Sequence, residues 1–296
     1  MLLWRISTIV SNLEKAIGVI TNKKAALVSV AFLFVICGCA FNDSFGGSRK
    51  NAVNWASDRG FTERSLTAGP FQLLALTRRR GENTETLTVY IEGDGAPWIT
   101  PWHPPRDPTP RKPIALALAA ADTAETVIYL GRPCQYQQAD KLADCAPIWW
   151  IEQRFALEVL MAYDEVLTQL KSAFGAQRLR LVGYSGGGVI AALLAVRRTD
   201  VASLVTVAAP LSLNKWVAWH DLTPFAESTT DPVAEKGRFP PGVHWAGEKD
   251  SIVPPAIVEY FVKVKAGQTL FTLPGYDHEC CWAQEWPSLL TKENAK

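Results

Sequence analysis

A single serine stands among glycines at residues 183–187, which read Gly-Tyr-Ser-Gly-Gly. The apolar segment LRLV precedes it and the apolar segment GVIAALLAV follows it, as where a buried strand turns sharply into a helix. On such a turn the side chain of Ser185 is exposed as a nucleophile, and glycines at Gly183 and Gly187 let strand and helix backbones approach closely. The pattern predicts nucleophilic chemistry at Ser185; the alternative is an ordinary turn with an idle serine.

A serine hydroxyl becomes an effective nucleophile only beside a general base, in most cases a histidine that a carboxylate orients. In a strand–turn–helix setting the chain order is serine, acid, histidine. Among the four histidines, His103 precedes the serine and His220 precedes every well-placed acid. His244 falls inside a predicted strand. His278 lies on a loop after the last predicted strand, and it is therefore the predicted base.

Asp250 is the predicted acid. It comes just after a predicted strand that ends near Gly247, and one helix and one strand separate it from His278. That spacing returns the chain to the same edge of a parallel sheet. Glu248 and Asp277 are alternatives, although adjacent side chains such as those at 277 and 278 seldom point at each other.

An acyl-transfer site also needs two backbone N–H groups that bind the oxyanion. One comes from the residue after the nucleophile, Gly186, and the other from the loop after an early strand. That strand is LTVYIE at 87–92, and its loop continues Gly-Asp-Gly. We predict the N–H of Asp94 as the second donor, with Gly95 as the alternative, because glycines let this backbone approach a substrate.

Strand-like and helix-like segments alternate along the chain. Their order predicts an α/β fold with a doubly wound, mostly parallel sheet. Predicted strands are 71–77, 86–91, 126–130, 179–183, 203–208, 243–247 and 269–273, and predicted helices are 149–174, 187–196 and 255–265. Residues 71–77 and 86–91 look like a first pair of strands joined by a charged turn.

The alternation also divides the chain into segments. Residues 39–69 are polar and are predicted to be a tether, which leaves 70–296 as the domain. Within the domain, residues 211–241 mix tryptophans with prolines and charges. We expect a cap-like insertion there, above the sheet edge where α/β folds bind ligands.

The motif order resembles the α/β-hydrolase superfamily. The resemblance rests on the glycine-flanked serine, on GEKDSIVPP at 247–255 and on GYDH at 275–278, and it covers roughly residues 70–290. Where that family usually has His-Gly after the oxyanion strand, this chain has Glu92-Gly93. The segments YLGRPCQY at 129–136 and WW…RF at 149–155 are similar to an uncharacterised bacterial branch of these hydrolases.

The predicted activity is hydrolysis of a small-molecule carboxylic ester through an acyl-enzyme on Ser185, without metal or cofactor. A serine peptidase of the same fold and a non-catalytic envelope protein are the alternatives. Seven tryptophans on predicted loops are candidates for an apolar pocket lining, or else for the core: Trp98, Trp102, Trp149, Trp150, Trp216, Trp219 and Trp282.

The N-terminus has the features of a secretory signal. Lys23 and Lys24 precede thirteen residues, 25–37, that are apolar except for one serine, which suits a signal peptide better than a membrane span. The following Ile-Cys-Gly-Cys resembles the lipobox of bacterial lipoproteins. Residues 1–38 are thus predicted to be removed, with a lipid on Cys39 holding the protein to a membrane of the bacterial envelope, facing the periplasm or exterior.

The cysteines and the net charge limit the disulfides, metal sites and partners that the chain can have. In an oxidising compartment we expect a disulfide between Cys134 and Cys145, whose intervening loop is polar and turn-like. The adjacent Cys280 and Cys281 could form only a vicinal ring or stay reduced. No Cys-x-x-Cys and no zinc-ligand spacing occurs. The net charge of +1 and the lack of a basic run argue against a nucleic-acid partner.

Overall fold

The computed structural model describes residues 45–82, 84–96, 103, 105–226 and 229–294. Its strands are β1 (Thr62–Ala68), β2 (Phe71–Arg79), β3 (Thr86–Ile91), β4 (Thr126–Leu130), β5 (Arg178–Tyr184), β6 (Val201–Val207), β7 (Gly242–Gly247) and β8 (Gln268–Leu273). Its α-helices are α1 (Arg49–Ser57), α2 (Ile114–Ala121), α3 (Ala139–Ala143), α4 (Leu157–Phe174), α5 (Gly186–Arg197), α6 (Leu213–Trp219), α7 (Pro255–Val264) and α8 (Trp282–Asn294). Short 3₁₀ turns cover Pro147–Trp150 and Pro232–Ala234.

The eight strands form one sheet in the order β1-β2-β4-β3-β5-β6-β7-β8. From β4 to β8 all neighbours are parallel, while β2 is antiparallel to both β1 and β4. Helices cover both faces. On β3, Leu87, Val89 and Ile91 face one buried cluster and Tyr90 faces the other, because successive side chains of a strand point to opposite faces. The predicted fold class, α/β with a doubly wound and mostly parallel sheet, is confirmed.

Parallel pairing brings the ends of three strands to the same edge. Ser185 follows β5, Asp250 follows β7 by three residues, and His278 follows β8 by five. The carboxyl ends of parallel strands form the edge at which α/β folds bind ligands. Residues far apart in sequence are therefore delivered to one place.

The strands predicted at 71–77 and 86–91 are present as β2 and β3, but their predicted pairing with each other is wrong. β2 and β3 do not pair, because β3 is flanked on its two sides by the parallel strands β4 and β5. β2 instead pairs with β4 in the antiparallel sense. The charged segment after β2 is a connection between non-adjacent strands.

The predicted tether is also wrong over residues 45–69, which contain α1 and β1. Ser48 caps α1 by accepting the N–H of Asn51, and Trp55 stacks on Phe45 with ring centroids 4.1 Å apart. Most β1 side chains are exposed, so the strand lacks the apolar alternation that would have revealed it. Its backbone pairing with β2 holds it at the edge of the sheet.

The long helix predicted over 149–174 begins later, at Leu157. The chain before it is partly a 3₁₀ turn, and Ala156 is extended with φ −63° and ψ 159°. This irregular stretch carries Arg154 and Phe155 toward the sheet edge. The segment predicted as a cap-like insertion, 211–241, connects β6 to β7 and contains α6.

Two short-range disulfides occur in the structure. Cys134 is joined to Cys145, with their Cα atoms 5.8 Å apart, and Cys280 is joined to Cys281. Over the described ranges, no helix is both long and apolar enough to cross a bilayer. The predicted signal peptide and Cys39 lie outside the described residues.

Removing the first disulfide should destabilise the fold. Cys134 and Cys145 are 11 residues apart, and a loop of that length stabilises the folded state by about 3 kcal/mol through the entropy of the unfolded chain. We expect Cys134→Ser with Cys145→Ser to lower the free energy of unfolding by about that amount in urea denaturation. The matched control is Cys280→Ser with Cys281→Ser, which opens a ring between adjacent residues and should cost far less. Equal losses in both double variants would contradict the loop-closure argument.

Candidate active site

Ser185 lies on a backbone turn that few residues adopt. Its φ is 51° and its ψ is −125°, and it immediately precedes α5. A Cβ at Gly183 would lie 2.4 Å from the carbonyl oxygen of Gly187, and one at Gly187 would lie 2.2 Å from the carbonyl oxygen of Ile91. Both glycines are needed because β5, α5 and the end of β3 meet here without room for side chains. The close packing holds Ser185 in its strained conformation.

The structure brings Ser185, His278 and Asp250 into one chain of hydrogen bonds. His278 Nε2 is 3.1 Å from Ser185 Oγ, and His278 Nδ1 is 2.8 Å from Asp250 Oδ2. A carboxylate only accepts hydrogen bonds, so Nδ1 carries the proton and donates a hydrogen bond to Asp250. Nε2 is then free to accept the proton of the serine hydroxyl. The three residues predicted from motif order are thus in contact.

Asp250 is fixed by the loop after β7. Its side chain is fully buried. Its Oδ1 accepts the N–H groups of Ile252 at 2.9 Å and Val253 at 2.8 Å, which leaves Oδ2 for His278. These donors fix the orientation of the carboxylate. Asp250 can therefore hold the imidazole in one tautomer.

His278 is held from behind through its backbone. Its carbonyl oxygen accepts the Tyr184 hydroxyl at 3.0 Å and the Trp282 indole N–H at 3.0 Å. The rival acids are engaged elsewhere: Glu248 accepts the N–H of Gly275, and Asp277 accepts backbone N–H groups of its own loop. Neither contacts the His278 ring, so Asp250 is its carboxylate partner.

The two residues predicted to supply the oxyanion donors are neighbours. A Cβ at Gly186 would lie 2.0 Å from Asp94 Oδ1, so a glycine is required for the 94 loop to lie against α5. Gly186 is the first residue of α5, and its N–H has no acceptor within the helix. The N–H of Gly93 donates to the Glu92 carboxylate, which excludes Gly93 as a donor. The assignment of the oxyanion site to the N–H groups of Asp94 and Gly186 stays a prediction.

Two arginines that the motif analysis did not single out hold Asp94 in place. Arg132 Nη1 donates to Asp94 Oδ1 at 3.0 Å, and Arg154 Nε is 3.1 Å from Asp94 Oδ2. Arg132 also donates to the carbonyl oxygen of Arg154. Both arginines belong to the segments YLGRPCQY and WW…RF, so the sequence signal was present but gave no spatial information.

Comparisons with known proteins show the fold. No protein-family model and no curated protein match the chain. An α-β serine hydrolase homologue from Coxiella burnetii matches with a TM-score of 0.52 and 16% identity, over 79% of this chain and 97% of that one. This chain has the α/β-hydrolase fold.

Other solved structures share this α/β-hydrolase fold at similarly low identity. An esterase from Pyrococcus furiosus matches with a TM-score of 0.53 and 14% identity, over 80% of this chain and 92% of that one. Est1E from Butyrivibrio proteoclasticus, in complex with ferulic acid, matches with a TM-score of 0.55 and 14% identity, over 79% of this chain and all of that one (100%). At these identities the matches establish the fold alone.

Glu92 is where this chain departs from the usual His-Gly of the α/β-hydrolase fold. The carboxyl group is buried, and it accepts the N–H of Gly93 at 2.9 Å and the hydroxyl of Tyr129 at 3.1 Å. Burial raises the pKa of Glu92 from 4.5 to about 7, although its hydrogen-bond donors act in the opposite direction. Tyr129 continues the network to the Tyr136 hydroxyl at 2.8 Å. The Glu92 carboxyl group thus supports the backbone of the loop after β3 through the N–H of Gly93.

The raised pKa makes stability depend on pH. Folding raises the pKa of Glu92 from 4.5 to about 7. Proton binding at Glu92 therefore stabilises the folded state fully below pH 4.5, and this stabilisation is lost as the pH rises through 7. Glu92→Gln carries no charge, so its stability relative to the wild type should increase by about 3 kcal/mol between pH 4.5 and pH 8. Urea denaturation at four pH values in this window measures the difference. Parallel curves for the two proteins would contradict the burial argument.

A cavity of about 510 Å³ opens beside Ser185 and His278 in this α/β-hydrolase fold. Much of its wall is apolar, and its large apolar side chains include Trp150, Phe155, Leu213, Trp216 and Ile252. Leu213 and Trp216 come from α6, within the segment predicted as an insertion above the sheet edge. The cavity can therefore hold an apolar part of a small molecule against the serine.

Of the five predicted pocket tryptophans that the structure describes, those at 150 and 216 line this cavity. Trp282 is fully buried below the His278 loop, Trp149 packs on the core at Phe71, and Trp219 is 59% exposed. Trp149 and Trp282 thus belong to the core, which is the alternative that the sequence left open, whereas Trp219 lines neither the core nor the cavity. Trp98 and Trp102 lie outside the described residues.

His244, which motif order set aside, has a structural position in β7. It is buried between the Thr206 hydroxyl and the Gln268 side chain, with Nδ1 2.8 Å from Thr206 Oγ1. Burial lowers the pKa of His244 to about 4, so the ring is neutral at physiological pH. His220 lies at the end of α6, where Nε2 contacts the carbonyl oxygen of Ile252. Neither ring contacts Ser185.

Proposed function

We propose that this chain is a serine hydrolase that cleaves carboxylic esters through an acyl-enzyme on Ser185. The observation that carries the proposal is the continuous Ser185–His278–Asp250 hydrogen-bond chain at the floor of a mostly apolar cavity. Solved relatives in fold include proteins described as esterases, which agrees with the proposal. Contacts of this kind serve acyl transfer in unrelated folds.

In the first step His278 Nε2 takes the hydroxyl proton while Ser185 Oγ attacks the carbonyl carbon. Negative charge moves to the carbonyl oxygen, where the N–H groups of Asp94 and Gly186 would bind it. Asp250 stabilises the imidazolium that forms. When the tetrahedral intermediate breaks down, the ester C–O bond breaks and the alcohol leaves with the proton from Nε2. The acyl group stays on Ser185.

In the second step water takes the place of the alcohol. His278 removes a proton from the water as its oxygen attacks the acyl carbon, and the same backbone groups hold the second oxyanion. Collapse of this intermediate breaks the bond to Ser185 Oγ, which recovers its proton from His278. The carboxylic acid is released and the enzyme is restored, so no metal ion or cofactor takes part in the proposed cycle.

A substrate panel tests this proposal. We expect p-nitrophenyl esters of graded acyl length to be hydrolysed with an optimum at a length that fits the cavity, and aminoacyl p-nitroanilides to be hydrolysed far more slowly. Cleavage of the anilides at comparable rates would assign the site to a peptidase. No turnover of any ester by a folded protein would contradict the proposed activity and favour a non-catalytic envelope protein.

We also propose that a lipid on Cys39 anchors the protein to a membrane of the bacterial cell envelope. The support is the sequence alone: an apolar segment at 25–37 followed by a lipobox-like Ile-Cys-Gly-Cys. Metabolic labelling with an alkyne fatty acid should mark the full-length chain in a bacterial host and should mark Cys39→Ser no more than background. Label that persists in Cys39→Ser would contradict the anchor.

A further inference from the structure

The cluster around Asp94 contains more positive than negative charge. One carboxylate faces two guanidinium groups, Arg132 at 3.0 Å and Arg154 at 3.1 Å. Arginine stays protonated in proteins, so the three groups together have a net charge of +1. Arg132 is almost fully enclosed, with 5% of its side chain exposed, whereas Arg154 also lines the cavity. The excess charge is thus accessible at Arg154.

Arg154 is poorly solvated for a cation. Its side chain is 15% exposed and lies over two aromatic rings, with Cζ 4.5 Å from the centre of the Phe225 ring and 5.2 Å from that of Phe155. Burial lowers the pKa of Arg154, and the nearby charge of Arg132 acts in the same direction. The protein surroundings therefore stabilise this cation less completely than water does.

One end of the Arg154 guanidinium remains open to a ligand. Nη1 donates to the carbonyl oxygen of Ile151, and Nε faces Asp94. Within the described part of the chain, Nη2 makes no hydrogen bond. A guanidinium with a free N–H edge in a low-dielectric pocket is suited to bind a carboxylate.

The other charged groups of the cavity do not neutralise this charge. Lys112 and Glu279 pair with each other at 2.7 Å at the exposed rim. Glu92 Oε1 accepts the backbone N–H groups of Gly93 and Ala115, and among the described residues Glu92 forms no ion pair with either arginine. Arg111 adds a further exposed cation to the lining. An anionic substrate group is thus the missing partner of Arg154.

We propose that the cavity selects esters that bear a carboxylate, and that Arg154 binds this carboxylate through Nη2. The inference rests on the proposed ester hydrolysis at Ser185 and names its substrate class. Trp150, Phe155 and Trp216 would contact the apolar spacer between the ester and the carboxylate. The carboxylate belongs to the acyl part, as in a monoester of a dicarboxylic acid, or to the alcohol part.

Two pairs of esters of matched length separate these cases in the wild-type protein. For the acyl side, mono-4-nitrophenyl adipate is compared with 4-nitrophenyl hexanoate. For the alcohol side, 3-carboxyphenyl hexanoate is compared with phenyl hexanoate. After subtraction of the spontaneous rates, we expect kcat/KM to be about tenfold or more higher for the anionic member of one pair, as for a desolvated charge-assisted hydrogen bond.

Variants of Arg154 test whether this side chain causes the preference for the anionic ester. Arg154→Gln should reduce the ratio of the two kcat/KM values to about one or below, and Arg154→Lys should restore part of it. The ratio is the readout because both changes also weaken support of Asp94 and lower turnover of every ester. Lys112→Gln is the matched control: it removes a cation that Glu279 already neutralises and should leave most of the preference.

The outcomes separate the inference from the proposed function. Hydrolysis of the neutral esters without a preference for either anionic partner would overturn the inference and leave esterase activity standing. A preference that survives Arg154→Gln would also overturn it. If Arg154→Gln does not fold, the inference is judged from the kcat/KM ratios of the wild type and of Arg154→Lys. Failure to hydrolyse any of the four esters would overturn both proposals.

Discussion

Ser185→Ala is expected to lower kcat for the best p-nitrophenyl ester by about 10⁶-fold, the size of effect known for loss of a nucleophilic serine. The methyl group cannot attack the carbonyl, whereas the cavity and backbone donors remain. Residual hydrolysis above the water rate should come from those groups alone. Initial rates at saturating substrate, measured at high enzyme concentration, give the comparison.

Folding should be unaffected by this change, since alanine can occupy the same turn without adding atoms. The thermal unfolding midpoint and circular dichroism spectrum should match those of the wild type. Ser172→Ala, at an exposed position of α4, is the matched control and should keep full activity. Retention of more than about a tenth of kcat in Ser185→Ala would remove Ser185 from the mechanism.

Asp250→Asn has the second-largest expected effect, a loss of about 10⁴-fold in kcat with the fold preserved. The reason follows from the contacts of Asp250. Two backbone N–H groups, from Ile252 and Val253, point at Oδ1, so the amide oxygen of the asparagine will take that position. Its NH₂ group then faces His278 Nδ1, which must accept rather than donate. The proton moves to Nε2, where it blocks transfer from the serine hydroxyl.

The rival acids provide the controls for this prediction. Asp277→Asn and Glu248→Gln leave the Asp250 contact intact and should keep kcat within a few-fold of the wild type. An Asp250→Asn protein with near-wild-type kcat would show that the carboxylate does not set the tautomer. A large loss in Asp277→Asn alone would point to that residue instead.

The chemistry-bearing residues could be predicted because they obey rules of chain order. Strands that are buried on both faces are apolar and easy to recognise, and parallel strands deliver their carboxyl ends to one edge. A polar residue within a few positions after the end of a parallel strand, as at 185, 250 and 278, is therefore placed by topology. The structure agrees for all three positions.

Elements without a periodic apolar pattern could not be predicted in the same way. Most side chains of β1 are exposed, so only its backbone pairing with β2 reveals it as a strand. The helix α2, with the sequence IALALAAA, is apolar all round because it is buried, and so it lacks the polar face of a surface helix. The order of β2, β4 and β3 depends on which strand edges remain free, a property of the assembled sheet.

The charge cluster next to the site escaped sequence analysis for another reason. Asp94, Arg132 and Arg154 are far apart in sequence, and nothing in their spacing says that one carboxylate will meet two guanidiniums. The glycine at 186 was a usable signal, since only a side-chain-free position admits the Asp94 carboxylate. Its partner, however, could be identified only in three dimensions.

Whether Ser185 is an activated nucleophile can be measured with a fluorophosphonate probe followed by peptide mass spectrometry. We predict one covalent adduct per chain, located on Ser185 and absent from His278→Ala and from denatured protein. An adduct on a different residue, or no adduct on a folded protein that hydrolyses esters, would contradict it.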